Sequence, residues 1–412
     1  MHMNGETPMS AQPQRKLSLD QNLPGTAEAL SPVAWQHGVL ELPRPFRLDS
    51  GAILANARLA WQCVGPADAP LIIALGGISA HRRTCAADGR GWWEEQCGAG
   101  RTFDTQRYRV LGIDWLGGCD ESTGPRSYQT NPSREARQSL PLLRAAGEGK
   151  GWGQAETNPS REAGQSLPLP RAAGEGTGRG QEFPVVSTAD QARAVLVLLN
   201  RLGVRRVHLL AGASYGGNVA QQLAALLGDR LRRLVLLSAA HRPAQFGLAL
   251  RHIQRSILAL GGESPQALAL ARELAVLCYR TTEGVEQRFG DDGGPSRPSL
   301  ASGALGLLPG VTGWLQHHGE KFSTRFDSAA YRCLGHSLDG HYIDPATIRV
   351  PTTVFAVRED LTVPLSLLHD YVARAGGPCE LVEISSAHGH DAFLKEAAAV
   401  SHLLSSALEA TP

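Results

Sequence analysis

The chain's most reactive arrangement is a serine set among small residues, Gly212-Ala213-Ser214-Tyr215-Gly216-Gly217, between an apolar run and a helix-like stretch (VHLLAGASYGGNVAQQL). The pattern is G-x-S-x-G, a strand-to-helix turn so tight that larger side chains on either side of the serine would collide. Such a turn lifts the hydroxyl clear of the sheet and aims free N–H groups of the following helix at it. The chemistry is acyl transfer through a serine ester, which also needs a base and an acid to orient that base.

Both follow in the expected order of serine, acid, histidine. Asp360 stands just past an apolar run in FAVREDLTVP, with Glu359 as the competing assignment. His390 lies in SSAHGHDAFLKE, with His388 two residues away. An H-x-H pair can also hold a metal, but no cluster of further ligands accompanies it in sequence, so protonic chemistry is the expectation and no metal is assigned. The oxyanion formed during acyl transfer needs two N–H donors. One is expected from Tyr215, after the nucleophile, and the other from the loop LIIALGGISAHRR, where Gly77 is the first choice and Gly76 and Ile78 are the alternatives.

The elements that must carry these residues alternate as strand and helix. Apolar runs at 71–75, 108–114, 207–211, 234–239, 352–357 and 379–384 read as buried strands. Helical periodicity occupies 188–203, 217–228 and 391–408. This is the pattern of a mostly parallel sheet covered by helices on both faces, and with the elbow it predicts an α/β-hydrolase fold. Residues 242–345 interrupt the alternation with helix-like stretches such as 267–289, a helical lid. The expected division is a disordered leader over 1–31, a first core part over 32–241, the lid, and a second core part over 346–412. Within the first part, 126–183 holds a duplication: TNPSREARQSLPLLRAAGEGKG at 130–151 recurs at 157–178 with three differences. Two polar copies are too few and too poor in apolar residues for a stacked repeat, so a flexible insertion is expected.

Bulk properties narrow the partners. Forty basic and 39 acidic residues leave a net charge of +1, with no basic stripe for nucleic acid or an anionic membrane. The seven cysteines, at 63, 85, 97, 119, 278, 333 and 379, form no C-x-x-C pair and read as reduced thiols. No stretch approaches the roughly 20 apolar residues of a membrane span, and the first residues lack a secretory signal, so the expectation is a cytoplasmic enzyme of small-molecule substrates.

Several separate segments together resemble the homoserine O-acyltransferase family of the α/β-hydrolases. They are GWWEEQCGAGRTFDTQRYRVLGIDWLGGCDESTGP at 91–125, the elbow GASYGG, HIQRSI at 252–257, ALARELAVLCYRTTEGVEQRFG at 269–290, HHGEKFSTRFDSAAYRCLGHSLDGH at 317–341 and GHDAFL at 389–394. The resemblance implies a ping-pong transfer from acyl-coenzyme A, a co-substrate and not a bound cofactor, to the hydroxyl of L-homoserine, in a homodimer. It implies that Arg255 holds the substrate carboxylate and Asp391 its ammonium. The early loop LGGISAH and the elbow residue Tyr215 depart from the commoner members, which raises the expectation of an altered acyl pocket. GGISAH and IDWLGG look like the succinyl-transferring branch, and Arg82 and Arg83 follow the oxyanion loop closely enough for one of them to pair with a distal carboxylate, which an acetyl donor would not require. Acetyl transfer, serine as acceptor, a plain esterase or thioesterase, and a silent binding protein are the rival readings.

Overall fold

The computed structural model describes residues 34–129, 183–290 and 310–410. The expected leader over 1–31 and both duplicated copies lie outside them. Eight strands form the main sheet: β1 (Trp35–Glu41), β2 (Arg58–Val64), β3 (Leu71–Leu75), β4 (Arg109–Ile113), β5 (Leu209–Ala213), β6 (Leu234–Leu237), β7 (Thr352–Val357) and β8 (Cys379–Ile384). Their spatial order is β1-β2-β4-β3-β5-β6-β7-β8. β2 runs antiparallel to both neighbours, and all pairs from β4 to β8 are parallel.

The central strands are apolar on both faces because both are covered. Leu71, Ile73 and Leu75 join one core with Leu234, Leu236, Val354 and Ala356, beneath helices α1 (Thr188–Arg201) and α2 (Tyr215–Leu227). The alternate residues Ile72, Ala74, Val235, Leu237, Phe355 and Val357 join the other, with Trp93, Phe103 and the C-terminal helix. The two-residue period of a strand thus sorts each strand between two cores.

Among the described residues, five helices follow β6 in the region of the lid: α3 (Gln245–Leu260), α4 (Pro265–Tyr279), α5 (Thr282–Phe289), α6 (Val311–Ser323) and α7 (Ser328–Asp339). After β7 and β8 come α8 (Leu365–Arg374) and α9 (Ala397–Glu409). Two stretches that read as single helices are each broken. The stretch 267–289 divides at Arg280–Thr281, where the Thr281 hydroxyl accepts from the Gly284 N–H and caps α5. The stretch 391–408 divides at Glu396, between a four-residue turn of helix (Ala392–Lys395) and α9.

The lid is tied to the sheet through Tyr215. Its ring is fully buried, edge-on to Trp115 at 4.9 Å, and its hydroxyl bonds Ser337 of α7 at 2.8 Å and accepts from Gln191 of α1 at 3.2 Å. The ring therefore fills the core rather than the acyl pocket, which corrects the expectation that Tyr215 reshapes that pocket. Tyr215→Phe strands two buried polar partners, a loss of about 1–3 kcal/mol. Thermal unfolding should show Tm lower by several degrees, at about 2–4 °C per kcal/mol for a chain of this size; an unchanged Tm would show that the hydroxyl does not tie the lid.

Candidate active site

The elbow forms because its glycines have no room to be anything else. A Cβ on Gly212 would stand 2.6 Å from the Gly216 carbonyl, one on Gly216 2.2 Å from the Leu75 carbonyl, and one on Gly217 2.3 Å from the Ala239 Cβ. Between them Ser214 adopts φ 52° and ψ −122°, a left-handed backbone that side chains seldom tolerate. The structure brings the three expected side chains together. Ser214 Oγ lies 2.9 Å from His390 Nε2, and His390 Nδ1 lies 2.6 Å from Asp360 Oδ2. Carboxylate contact fixes the tautomer: Nδ1–H donates to Asp360, leaving Nε2 to accept from the serine hydroxyl.

The other Asp360 oxygen accepts from the Thr362 N–H at 2.8 Å, the Thr362 hydroxyl at 2.9 Å and the Val363 N–H at 2.9 Å, so the carboxylate cannot swing away. The competing residues have other partners. Glu359 accepts from the Ser386 N–H at 2.9 Å, and His388 Nδ1 lies 3.2 Å from the Arg280 guanidinium. Both breaks in the helices act on the loop that carries His390. Thr281 donates to the Ala387 carbonyl at 2.9 Å, and Ser386 donates to Glu396 at 2.6 Å. Sequence periodicity missed these positioning residues because a single capping threonine or a lone glutamate leaves the apolar pattern intact.

Electrostatics favours a ring that captures a proton. Burial disfavours the charged form of His390, but the charge and hydrogen bond of Asp360, with Asp391 adding and Arg251 opposing, leave its pKa raised above the usual 6.5.

A cavity of about 350 Å³ opens above Ser214, bounded by Gly77, Ile78, Trp92, Asn218, Arg255, Tyr279 and Asp391, among others. Gly77 faces open space, and its carbonyl is held by Trp115 Nε1 at 3.0 Å and the Ala80 N–H at 3.0 Å. Trp115 therefore touches both oxyanion candidates, meeting the Tyr215 ring edge-on and bonding the Gly77 carbonyl. Tyr215 is the first residue of α2, so its N–H has no acceptor within the helix. Ile78 also lines the cavity, whereas Gly76 is packed under Ala80 and Trp92, and its carbonyl accepts from the Gly216 N–H.

Arg255 and Asp391 both line this cavity, and each already has an ionic partner. Arg255 Nη1 lies 2.7 Å from Asp339, which Arg251 also grips, and Asp391 lies 2.9 Å from Arg280. Arg251, Asp339 and Arg280 were not singled out by sequence reasoning. The four-residue spacing of Arg251 and Arg255 on one helix is the signal that could have found the first of them. Arg82 and Arg83 stand elsewhere: neither lines the cavity. Arg82 is locked to Asp114 at 2.7 Å and to Glu121 at 2.5 Å, and the half-exposed Arg83 lies 3.5 Å from Asp88. Their assignment to a distal acyl carboxylate is therefore corrected; proximity in sequence to Gly77 concealed the acidic residues that take them.

Because only the neutral ring can act as base, kcat/KM should be present above the His390 pKa and lost as pH falls through it. The acid limb should have its midpoint above 6.5. Asp360→Asn keeps the burial but removes the attraction, so the midpoint should move down and the rate fall about a thousandfold or more. A pH–rate profile with an acid midpoint below 6.5 in the unaltered enzyme would contradict this arrangement.

Comparisons with known proteins agree with the geometry. Residues 70–397 match the family model described as alpha/beta hydrolase fold. The chain is 34% identical to a homoserine O-succinyltransferase of Xanthomonas campestris pv. campestris over 360 residues, covering 86% of this chain and 79% of that one. It is 31% identical to a homoserine O-acetyltransferase of Symbiobacterium thermophilum, covering 85% and 88%. Among solved structures, a homoserine O-acetyltransferase from Staphylococcus aureus superposes with a TM-score of 0.68 at 21% identity, over 92% of this chain and 97% of that one. An esterase superposes at 0.71 and 18%, over 91% and 100%. These last two likenesses show the fold, and the curated relatives show the branch: the chain belongs to the homoserine O-acyltransferase family of the α/β-hydrolase fold.

Proposed function

We propose that this enzyme moves a succinyl group from succinyl-coenzyme A to the hydroxyl of L-homoserine, as a homodimer in the cytoplasm, in methionine biosynthesis. The observation that carries the reading is the sharing of one cavity by Ser214 and by the charged pair Arg255 and Asp391. A hydrolase needs only the first; an amino-acid acceptor needs the others, a guanidinium for its carboxylate and a carboxylate for its ammonium. No helix among the described residues is long and apolar enough to cross a membrane.

The reaction takes two steps. Ser214 Oγ gives its proton to His390 Nε2 and attacks the thioester carbonyl. The tetrahedral oxyanion is held by the N–H groups of Gly77 and Tyr215, and coenzyme A departs as thiol with the proton from His390. The homoserine hydroxyl then gives its proton to His390 and attacks the acyl-serine, and Ser214 leaves with that proton. Water in the second step would give an esterase or thioesterase, and an acetyl donor or serine as acceptor would use the same steps.

The second copy has a suitable surface. On α3, Phe246, Ala249, Ile253 and Leu260 are exposed, at 46% for Phe246, 50% for Ile253 and 87% for Leu260, and their successive spacings of three, four and seven residues set them along one face of the helix. Joint Phe246→Glu and Ile253→Glu substitution should convert a dimer to a monomer in sedimentation, and a dimer that survives would place the interface elsewhere.

Release of coenzyme A thiol tests the reaction. It should be fast with succinyl-coenzyme A only when homoserine is present, and Arg255→Met should raise KM for homoserine roughly tenfold or more. Equal release with and without homoserine would identify a thioesterase, and faster release with serine or with acetyl-coenzyme A would reassign the acceptor or the donor.

A further inference from the structure

The lid wall of the catalytic cavity carries more positive than negative charge. Arg251 and Arg255, one turn apart on α3, both grip the single carboxylate of Asp339. Arg272 of α4 lines the same cavity and is held by ring faces, its guanidinium 4.8 Å from the centroid of Phe322 and 5.7 Å from that of Tyr279. Its neighbour Glu273 turns to the other side of α4, where a Cβ on Gly319 of α6 would meet its carboxylate at 2.9 Å. Asp391 is taken by Arg280. On this wall three guanidiniums therefore share one carboxylate, a surplus of two positive charges.

Aromatic faces fix where a guanidinium sits but use none of its in-plane N–H donors. A partly desolvated cation with unspent donors calls for an anion. Tyr279, the ring under Arg272, lies 5.2 Å from the His390 ring, so the cation stands one ring away from the reacting atoms. Arg90, Arg242 and Arg325 also reach the cavity, but they are exposed, where water screens their charge.

We infer that Arg272 binds the distal carboxylate of a dicarboxylic acyl group esterified to Ser214, beside the acceptor α-carboxylate already assigned to Arg255. During the second step both carboxylates occupy the cavity together, one against Arg272 and the other against the arginines of α3. An acetyl group would leave Arg272 without its counter-ion. The assignment rests on the acyl-transfer reading and names the residue that selects its donor.

The test is acyl-enzyme formation without acceptor, followed by rapid quenching and intact-protein mass, with succinyl-coenzyme A and with butyryl-coenzyme A, which has the same carbon count and no carboxylate. The native enzyme should acylate faster with the succinyl donor. In Arg272→Met the succinyl-to-butyryl ratio of second-order rate constants should fall by roughly 10–150-fold, the loss of one charge-assisted interaction. Arg272→Lys, which keeps charge but not the planar fork, should fall between. A ratio within about threefold of the native one in Arg272→Met, even if both rates drop through misfolding, overturns the inference, as does a native enzyme without succinyl preference. Because no acceptor is present, failure of homoserine to accelerate turnover would defeat the acyl-transfer reading separately.

Discussion

The site depends on one strained residue. Ser214 is held at a positive φ by a turn whose flanking glycines are pressed against the carbonyls of neighbouring segments and the Cβ of Ala239. Strain of this kind persists only where the surroundings over-determine it, and here they include the Ser214 N–H bonded to the Leu237 carbonyl and the Gly216 N–H bonded to the Gly76 carbonyl. The first bond ties the nucleophile to β6, the second to the end of β3 where the oxyanion loop begins. One backbone conformation thus sets the height of the hydroxyl, the start of α2 and the position of the oxyanion loop.

The lid contributes more than a wall. Its α4–α5 junction supplies Tyr279 against the His390 ring and Thr281 against the loop that carries it. Its α7 supplies Ser337 to the Tyr215 hydroxyl and, just past its neighbour Leu338, Asp339 to the two arginines of α3. The lid is therefore bonded to both the nucleophile's helix and the base's loop.

Much of this was legible in the sequence, for identifiable reasons. Strands at 71–75, 352–357 and 379–384 coincide with their apolar runs, whereas the run at 207–211 sits two residues early because the strand extends into the elbow. β1 and β2 went unread, since WQHGVLE is largely exposed and RLAWQCV has Gln62 buried within it, its amide donating to the Cys85 carbonyl. The serine, acid and histidine were readable because each stands in the segment that follows a strand, Ser214 at once after β5, Asp360 in the turn after β7 and His390 in the loop after β8. Arg82 was not, because Asp114 is 32 residues away and only the fold brings it to the guanidinium. Likewise, nothing local in sequence says that Asp339 meets arginines 84 and 88 residues earlier.

The most direct measurement of the central claim is peptide mapping after reaction with a serine-directed fluorophosphonate at neutral pH. The account predicts a single stoichiometric label on Ser214, with labelling slowed by orders of magnitude in His390→Ala. Label on another residue, or undiminished labelling of Ser214 without that imidazole, would contradict it.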